Sequence, residues 1–299
     1  MQPISITHAN YTFSKDNKPV ATVPSGSTVW FESKDALAGQ ITKHNYKDGF
    51  ADFNWNDVNP ATGPLAVEGA QPGDVLRVEI LDIRINTEDA VLLTGKGLGV
   101  LSHCFDSLQS RVVQVRQGFV EFSPEIKIPI RPMIGVIGTA PAGEPINNGT
   151  PGKHGGNMDC KEIAEGAAVY LPVNVEGALL SLGDVHAVMA DGECCGTGAE
   201  MPAEVLVKVD VLKNCAWPTP FIENDMYYMP MASALTADEA IDNAVHNGVD
   251  FLMGTYGMSR YDAVTFLSLA ADVRICQVVD PLKTARLHIP KRLLWRLQP

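Results

Sequence analysis

Apolar and polar residues alternate with a period of two over the first two-thirds of the chain, which predicts β-strands there. The clearest case is VLRVEILDIRI at 75–85, where Leu76, Val78 and Ile80 share one face. Further strands are predicted at 111–122, 126–130, 133–139, 167–172, 178–182 and 203–212. This pattern, interrupted by 26 glycines and 20 prolines, favours a mainly β fold of sandwich or barrel-like sheets.

Two segments repeat a smaller pattern, in which a strand, a Pro/Gly turn and a second strand follow one another. The first is 19–32, with Pro-Ser-Gly at its turn, and the second is 64–85, with Gln-Pro-Gly-Asp at its turn. Turn residues between two such stretches are typical of β-hairpins. Each segment is therefore predicted to pair its own two strands.

Helical periodicity is convincing only near the C-terminus. Thr236 and Glu239 have the spacing of a capping box, and Ser259 opens a second helical pattern. The stretch VRICQVVD at 273–280 then predicts another strand. No Gly/Ser linker divides the chain, so we expect one β-rich unit over 1–299 with a small α-helical hairpin inserted at 236–271.

Charge and composition exclude several classes of partner. The chain has 23 basic and 35 acidic side chains, a net charge of −12, and this field repels nucleic acid and anionic membranes. The N-terminus lacks a secretory pattern, and no apolar run is long enough to cross a bilayer. The six cysteines have no repeating spacing, as expected for reduced thiols. These features predict a cytoplasmic protein.

Candidate chemistry is concentrated between residues 143 and 200. The polar, glycine-rich stretch at 143–160 is predicted to be a long loop outside the core, and such loops are usually either functional or disordered. Beyond it, Asp184 and His186 are two residues apart, as are Asp191 and Glu193. In an extended backbone, such pairs project to the same face and can converge on one ion or substrate.

Carboxylates together with an imidazole suit zinc, and carboxylates with loop carbonyls suit calcium. Asp159 and His103 are the best additional partners from outside residues 179–200. Aspartate and glycine also cluster in turns for conformational reasons alone. Spacing by itself therefore leaves both a metal site and an ordinary turn open.

Nucleophilic residues are less promising. The chain contains no G-x-S-x-G motif. Cys160, Cys194 and Cys195 have acidic neighbours, which are expected to raise the pKa of a thiol and disfavour the reactive thiolate.

Several longer sequence motifs resemble those of one known family. They are GPLAVEGAQPGDVLRVEILDI at 63–83, PMIGVIGTAPAGE at 132–144, GGNMD at 155–159, GDVHAVMADGE at 183–193 and FLMGTYGMSRYDAVTFLSLAADVRICQVVDPLKTAR at 251–286. Over nearly its whole length the chain resembles the acetamidase/formamidase family. It departs at Ala190, where that family usually has glycine before the Asp-Gly-Glu.

The resemblance implies hydrolysis of a short linear amide, such as formamide or acetamide, to ammonia and a carboxylate. It also implies a mainly β fold with an inserted α part, a homo-oligomer and, in some members, a metal. The chain lacks the Gly/Ser-rich stretch of the amidase-signature enzymes, and no Cys/Glu/Lys site of the nitrilase type is evident. An activated water molecule is therefore the expected nucleophile.

The motif residues then receive expected roles. A divalent ion, zinc before calcium, would be bound by Asp159 and His186, with Asp184 and Asp191 in support. Glu193 would act as general base.

The substrate would be contacted by Asn157, Gly156 and His103. Two alternatives remain open. One is an amidase with Cys160 or Cys194 as nucleophile and a structural metal, and the other is a non-catalytic β protein that binds a small ligand.

Overall fold

The computed structural model describes residues 3–48, 50 and 52–294, and they form two stacked β-sheets with a pair of helices on the outer side of one sheet. Strands take up 41% of the chain and helices 15%, and neither sheet closes into a barrel. The mainly β prediction is confirmed, in its sandwich form.

The described residues contain 21 strands and two α-helices. In chain order the strands are β1 (Ala9–Asn10), β2 (Thr12–Phe13), β3 (Ala21–Val23), β4 (Ser27–Ser33), β5 (Ala61–Val67), β6 (Val75–Ile85), β7 (Asp89–Gly95), β8 (Leu108–Arg116), β9 (Phe119–Glu121), β10 (Lys127–Pro129), β11 (Met133–Gly138), β12 (Ile146–Asn147), β13 (Gly155–Asn157), β14 (Ala168–Pro172), β15 (Leu180–His186), β16 (Glu200–Met201), β17 (Ala203–Leu212), β18 (Phe221–Glu223), β19 (Tyr227–Ala234), β20 (Asp272–Gln277) and β21 (Lys283–Pro290). The helices are α1 (Ala237–Tyr256) and α2 (Arg260–Ala270), with short 3-10 turns at Ile6–His8, Trp55–Asp57, Ser102–Cys104 and Lys291–Leu293.

Eight strands form the smaller of the two large sheets, in the order β20-β21-β19-β18-β14-β6-β17-β4. The larger sheet has eleven strands, and eight of them follow the order β1-β5-β15-β16-β7-β8-β9-β10. Of the other three, β11 pairs with β15, β13 pairs with β11, and β3 pairs with β5. Two short strands, β12 and β2, pair separately. The larger sheet carries the chemistry described below.

The main core fills the space between the two sheets. On β6, Leu76, Val78 and Ile80 point into it, together with Leu182 and Val185 from β15. Because side chains alternate along a strand, the opposite face of the smaller sheet is also apolar and packs against the helices. The chain thus builds two apolar layers from strands that are buried on both sides.

The helical hairpin at 236–271 is confirmed. The hydroxyl of Thr236 accepts a hydrogen bond from the backbone amide of Glu239 at 3.2 Å, as a helix N-cap should. Gly257 ends α1 in the left-handed conformation, with φ of 64°. Ser259 caps α2 in the same way as Thr236 caps α1.

Neither predicted hairpin forms between its own two strands. β3 pairs in parallel with β5, whereas β4 pairs with β17 in the other sheet. β5 and β6 are likewise divided between the two sheets. The turn residues reverse the chain as expected, but the apolar faces on both sides of each turn are buried against each other across the sandwich, not side by side in one sheet.

Other strand predictions differ in detail. The 203–212 strand is confirmed, but the 111–122 stretch is broken at Gln117 and Gly118, both with positive φ, into the hairpin β8–β9. The strand predicted at 178–182 instead runs from Leu180 to His186. This extension brings His186 into the sheet.

The prediction that 143–160 lies outside the core is wrong for its second half. Residues 154–160 are all buried, and β13 pairs with β11. Glycine makes this possible, because a Cβ at Gly155 would lie 2.2 Å from the carbonyl oxygen of Ile137. Two of its buried polar side chains, Asn157 and Asp159, belong to the site described below.

No helix among the described residues has the length and apolar character that crossing a bilayer requires.

Two leucines of α2 test how the helices pack. Leu267 is 6% exposed in the layer between the helices and the smaller sheet, whereas Leu269 is 89% exposed. We expect Leu267→Ala to lower the free energy of unfolding by about 2–5 kcal/mol. Leu269→Ala should change it by no more than about 0.5 kcal/mol. Urea denaturation of both variants checks this, and equal effects would contradict the packing.

Candidate active site

The larger sheet brings the polar segments together. β11 lies between β13 and β15, so that Val136 faces Asn157 on one side and Gly183 on the other. β16 pairs with β15 and places Glu200 directly opposite His186. Side chains that are opposite each other in an antiparallel pair are close enough to interact. Residues from four separate parts of the chain therefore meet at one place.

His186 is the centre of this cluster and is fully buried. Its Nε2 lies 3.1 Å from Oδ1 of Asp184, 3.1 Å from Oε1 of Glu200 and 3.8 Å from Oδ1 of Asp159. The spacing argument is therefore confirmed for Asp184 and His186, whose side chains converge.

Two glycines make room for the cluster. A Cβ at Gly135 would lie 2.4 Å from Oδ1 of Asp159 and 2.6 Å from Oδ2 of Asp184, and a Cβ at Gly198 would lie 2.3 Å from Nδ1 of His186. Real side chains essentially never approach so closely. The backbone at these two positions must therefore be bare for the carboxylates and the imidazole to occupy their places.

Several buried polar atoms in the cluster have no hydrogen-bond partner among the described residues. They are Oδ1 of Asn157, both carboxylate oxygens of Asp159, Nδ1 of His186, Oε2 of Glu193, Oε2 of Glu200 and Oδ2 of Asp280. Buried carboxylates are normally paired, hydrogen-bonded or bound to a metal, since an unsatisfied charge is costly in a protein interior. The cluster is therefore suited to binding a cation or a hydrogen-bonding ligand.

Burial strongly perturbs the acid–base properties of these groups. It raises the pKa of Asp159 to about 7, with a further contribution from the charge of Asp184. Burial also raises the pKa of Glu200 to about 8 and that of Glu193 well above its ordinary value. Burial would lower the pKa of His186, but the charges of Glu200 and Asp184 raise it well above 6.5. The site thus needs protons or a cation to balance its negative charge at neutral pH.

The donor set fits a divalent cation. Two overlapping groups each have ligand atoms within 4.8 Å of one another: Asp159, His186 and Glu193, and Asp184, His186 and Glu200. Carboxylate oxygens with one imidazole nitrogen are ligands of zinc and of other first-row metals.

A small cavity of about 170 Å³ opens onto the cluster. One side is acidic, with Asp184, Glu193, Glu200 and Asp280 beside Asn157. The other side is largely apolar and contains Ala36, Leu37, Trp55, Val58, Leu93 and Leu98. The volume lies below the roughly 300–1,000 Å³ typical of drug-sized ligands, so the cavity suits a molecule of only a few heavy atoms.

The apolar side is held in place by a further buried carboxylate. Asp35 accepts hydrogen bonds from the backbone amides of Leu37, at 2.9 Å, and Gly39, at 3.2 Å. These bonds fix the turn that presents Leu37 to the cavity.

Of the residues expected at the site, Asp159, Asp184, His186 and Glu193 come together. Asn157 lines the cavity, and Gly156 precedes it in β13, buried and paired with Ile137.

Asp191 and His103 lie elsewhere. His103 is exposed on a 3-10 turn and is not among the residues that line the cavity. Asp191 pairs with Arg286 at 2.8 Å and with Lys161 at 3.0 Å. The assumed extended backbone does not hold there, because positive φ angles of 99° at Gly192 and 48° at Glu193 turn the chain and separate Asp191 from Glu193.

Glu200 and Asp280 belong to the site although neither was expected there. Glu200 ends the glycine-rich stretch that begins at Gly183, and no local pattern in the sequence connects it with His186. Burial raises the pKa of Asp280 well above its ordinary value, and the charges of Asp159 and Asp184 raise it further. Only a pairing of β15 with β16 could have predicted the role of Glu200.

The two cysteines considered as nucleophiles are in different surroundings. Cys194 is exposed, whereas Cys160 is fully buried and is not among the residues that line the cavity. The expectation of a raised pKa is wrong for Cys160. Burial would raise the pKa of its thiol, but the Cys276 thiol and the Arg286 guanidinium lower it.

Comparison with known proteins identifies clear relatives. The sequence profile of the Acetamidase/Formamidase family matches residues 7–150 and 145–294. A crystal structure of acetamidase from Bacillus halodurans superposes with a TM-score of 0.96 at 44% identity, covering 99% of each chain.

Two curated relatives are more distant. Formamidase of Methylophilus methylotrophus is 25% identical, over 92% of this chain and 86% of that protein. Acetamidase of Mycolicibacterium smegmatis is 26% identical over 67% of this chain, and the chain spans just under two thirds of it, 64%.

Gly135 provides a test of the cluster. A methyl group there must displace the carboxylates of Asp159 and Asp184, so we expect Gly135→Ala to weaken Zn²⁺ binding by about tenfold or more. Isothermal titration calorimetry measures the change. Gly143→Ala is the matched control, since a Cβ at that exposed position meets nothing within 4 Å. Unchanged Zn²⁺ affinity in Gly135→Ala would contradict the cluster as a cation site.

Proposed function

Because the chain belongs to the acetamidase/formamidase family, we propose that it hydrolyses the C–N bond of short linear amides, such as formamide and acetamide, to ammonia and a carboxylate. The relatives that bear the names formamidase and acetamidase support this reaction. The observation that carries the proposal is the set of buried, hydrogen-bond-deficient carboxylates around His186, which face a cavity sized for a small molecule.

We propose that a divalent cation, zinc before calcium, completes the site. Asp159 and His186 would hold it, with Asp184 and Glu200 as further ligands. When bound, such an ion lowers the pKa of a water molecule to about 7 and polarises a carbonyl group. The charge of the ion would then balance the buried carboxylates of the site.

Glu193 is the proposed general base. It lines the cavity, its Oε2 has no hydrogen-bond partner among the described residues, and burial raises its pKa well above the ordinary value of a glutamate. It would take a proton as the water oxygen bonds to the amide carbon. It would return that proton to the nitrogen as the C–N bond breaks, so that ammonia and not an amide anion leaves.

Asn157 is the proposed donor to the carbonyl oxygen. It lines the cavity beside Asp280 and Glu193. Its side-chain amide N–H would stabilise the negative charge that develops on that oxygen in the transition state.

The apolar side of the cavity would limit the acyl group. Leu37, Leu93 and Leu98 face the carboxylates across about 170 Å³. A hydrogen atom or a methyl group on the carbonyl carbon fits beside them, whereas longer chains would compete with these side chains for the same space.

Compartment and assembly are part of the proposal. The cytoplasm is supported by the six cysteines, all of which are free thiols. A homo-oligomer is supported by exposed apolar side chains, including Leu235, Tyr261 and Leu269.

Replacing Glu193 tests the mechanism. Glu193→Gln keeps the size of the side chain but removes the base, so turnover of formamide or acetamide should fall by ~10²-fold or more with the fold intact. An ammonia-release assay measures turnover, and thermal denaturation measures the fold. Glu144→Gln makes the same change at an exposed position and should leave turnover unchanged. Near-normal hydrolysis by Glu193→Gln would remove Glu193 from the mechanism.

Chelation and pH test the cation. Asp159 and Glu200 must lose protons to act as ligands, and their pKa values are about 7 and about 8. Metal affinity should therefore fall as pH is lowered below about 8, and binding at pH 7 should release protons. Elemental analysis and ammonia release before and after chelation, with calorimetry in two buffers of different ionisation enthalpy, measure both effects.

Restoration of amide hydrolysis by one added metal identifies the ion. Full activity in metal-free protein would show that no cation is needed.

A further inference from the structure

A fully buried arginine lies behind the site. Arg286 on β21 is 0% exposed. Its Nη2 donates to both carboxylate oxygens of Asp191, at 2.8 and 3.0 Å, and its Nε donates to Nε2 of His288 at 3.0 Å. Its Nη1 donates to the carbonyl oxygen of Ile275 at 3.0 Å and contacts Sγ of Cys276 at 3.4 Å. All three nitrogens of this guanidinium are thus engaged.

Asp191 opens the turn that carries Glu193. Gly192 and Glu193 both have positive φ, which glycine adopts freely but which Glu193 adopts only with support from its surroundings. The backbone amide of Gly192 donates to the carbonyl oxygen of Cys276 at 2.8 Å, and the amide of Val278 donates to the carbonyl oxygen of Gly192 at 3.2 Å. The turn is therefore tied to β20 by its backbone and to Arg286 by the side chain of Asp191.

The same arginine also holds the strand to which the turn is tied. Its contacts with Ile275 and Cys276 lie on β20, immediately before Gln277. Oε1 of Gln277 accepts the backbone amide of Asp280 at 3.0 Å. Two side chains of the cavity, Glu193 and Asp280, are thus carried by segments that meet at this guanidinium.

We propose that the Asp191–Arg286 pair positions Glu193, so that Asp191 is a positioning residue and not a metal ligand; this rests on the proposed function. Both oxygens of Asp191 accept from one nitrogen, Nη2 of Arg286, and such charge-assisted hydrogen bonds are short and strong. The pair fixes the position of Asp191 at the start of the turn. The positive φ angles of Gly192 and Glu193 then direct the side chain of Glu193 into the cavity. Lys161, 3.0 Å from Asp191, adds a second cation on the solvent side.

Asp191→Asn is the informative variant. It keeps the shape of the side chain but removes the charge and one of the two acceptors that Arg286 uses. A displacement of about 1 Å at a catalytic group can cost about 10²-fold in rate. We expect kcat to fall by about 10- to 100-fold with KM nearly unchanged, because the cavity walls and the proposed ligands stay in place.

Two further readouts distinguish positioning from other roles. Hydrogen exchange should become faster in the peptide that covers 190–196, because the turn loosens. Bound metal should remain at the wild-type level, since Asp191 lies outside both candidate ligand groups.

Arg131→Gln is the matched control. Arg131 pairs with Glu162 at 2.7 Å, and Glu162 is 3.6 Å from Arg286, so this variant disturbs the same charge network without touching the turn. It should leave kcat and the exchange of 190–196 unchanged.

A double-mutant cycle with Glu193→Gln completes the experiment. If Asp191 acts through Glu193, Asp191→Asn should cause no further loss in the Glu193→Gln background. Normal kcat in Asp191→Asn, an additive loss in the double variant, or loss of bound metal from Asp191→Asn would each overturn the positioning role. Full activity of the Glu193→Gln single variant would instead overturn the proposed role of Glu193, so the two failures are distinguished by that variant.

Discussion

Negative charge is concentrated around one buried imidazole, and the larger sheet, the bare glycines and the turn of Glu193 together hold it there. Asp159, Asp184, Glu193 and Glu200 are all buried with His186, and several of their oxygens have no hydrogen-bond partner among the described residues. Taking such charges out of water costs several kcal/mol per ion unless they are paired. Protons or a bound cation would offset this cost, and burial raises the pKa values of Asp159, Glu193 and Glu200.

The sandwich supplies the rigidity that this arrangement needs. The strands that carry the cluster lie in the larger sheet, with one face of that sheet buried in the main core. Gly135 and Gly198 leave space for the charged side chains, and the Asp191–Arg286 pair ties the turn of Glu193 to β20 and β21. The acidic cluster is thus held by strands of the larger sheet and by the Asp191–Arg286 pair, whereas the apolar lining comes from the turn around Leu37, from Leu93 on β7 and from Leu98.

Part of the site could be predicted from local patterns. Asp184 and His186 are two residues apart on β15, and their side chains do converge, although Asp184 itself has a positive φ of 56°. The same spacing failed for Asp191 and Glu193, because Gly192 turns the chain between them. Glu200 and Asp280 had no local signal at all. Their places depend on the pairing of β15 with β16 and on the course of the chain after β20, which are non-local.

Local sequence patterns were enough to predict the strand-rich character, the capped helical hairpin at 236–271 and the family to which the chain belongs. Each of these follows from periodicity, from capping residues or from sequence motifs, all of which are read along the chain. The choice of strand partners depends on tertiary packing, since Pro/Gly turns reverse the chain without choosing a partner and the apolar faces on both sides of the turns are buried across the sandwich. The contact of Asp191 with Arg286 also depends on tertiary packing, because β21 brings the guanidinium within hydrogen-bonding distance of this carboxylate.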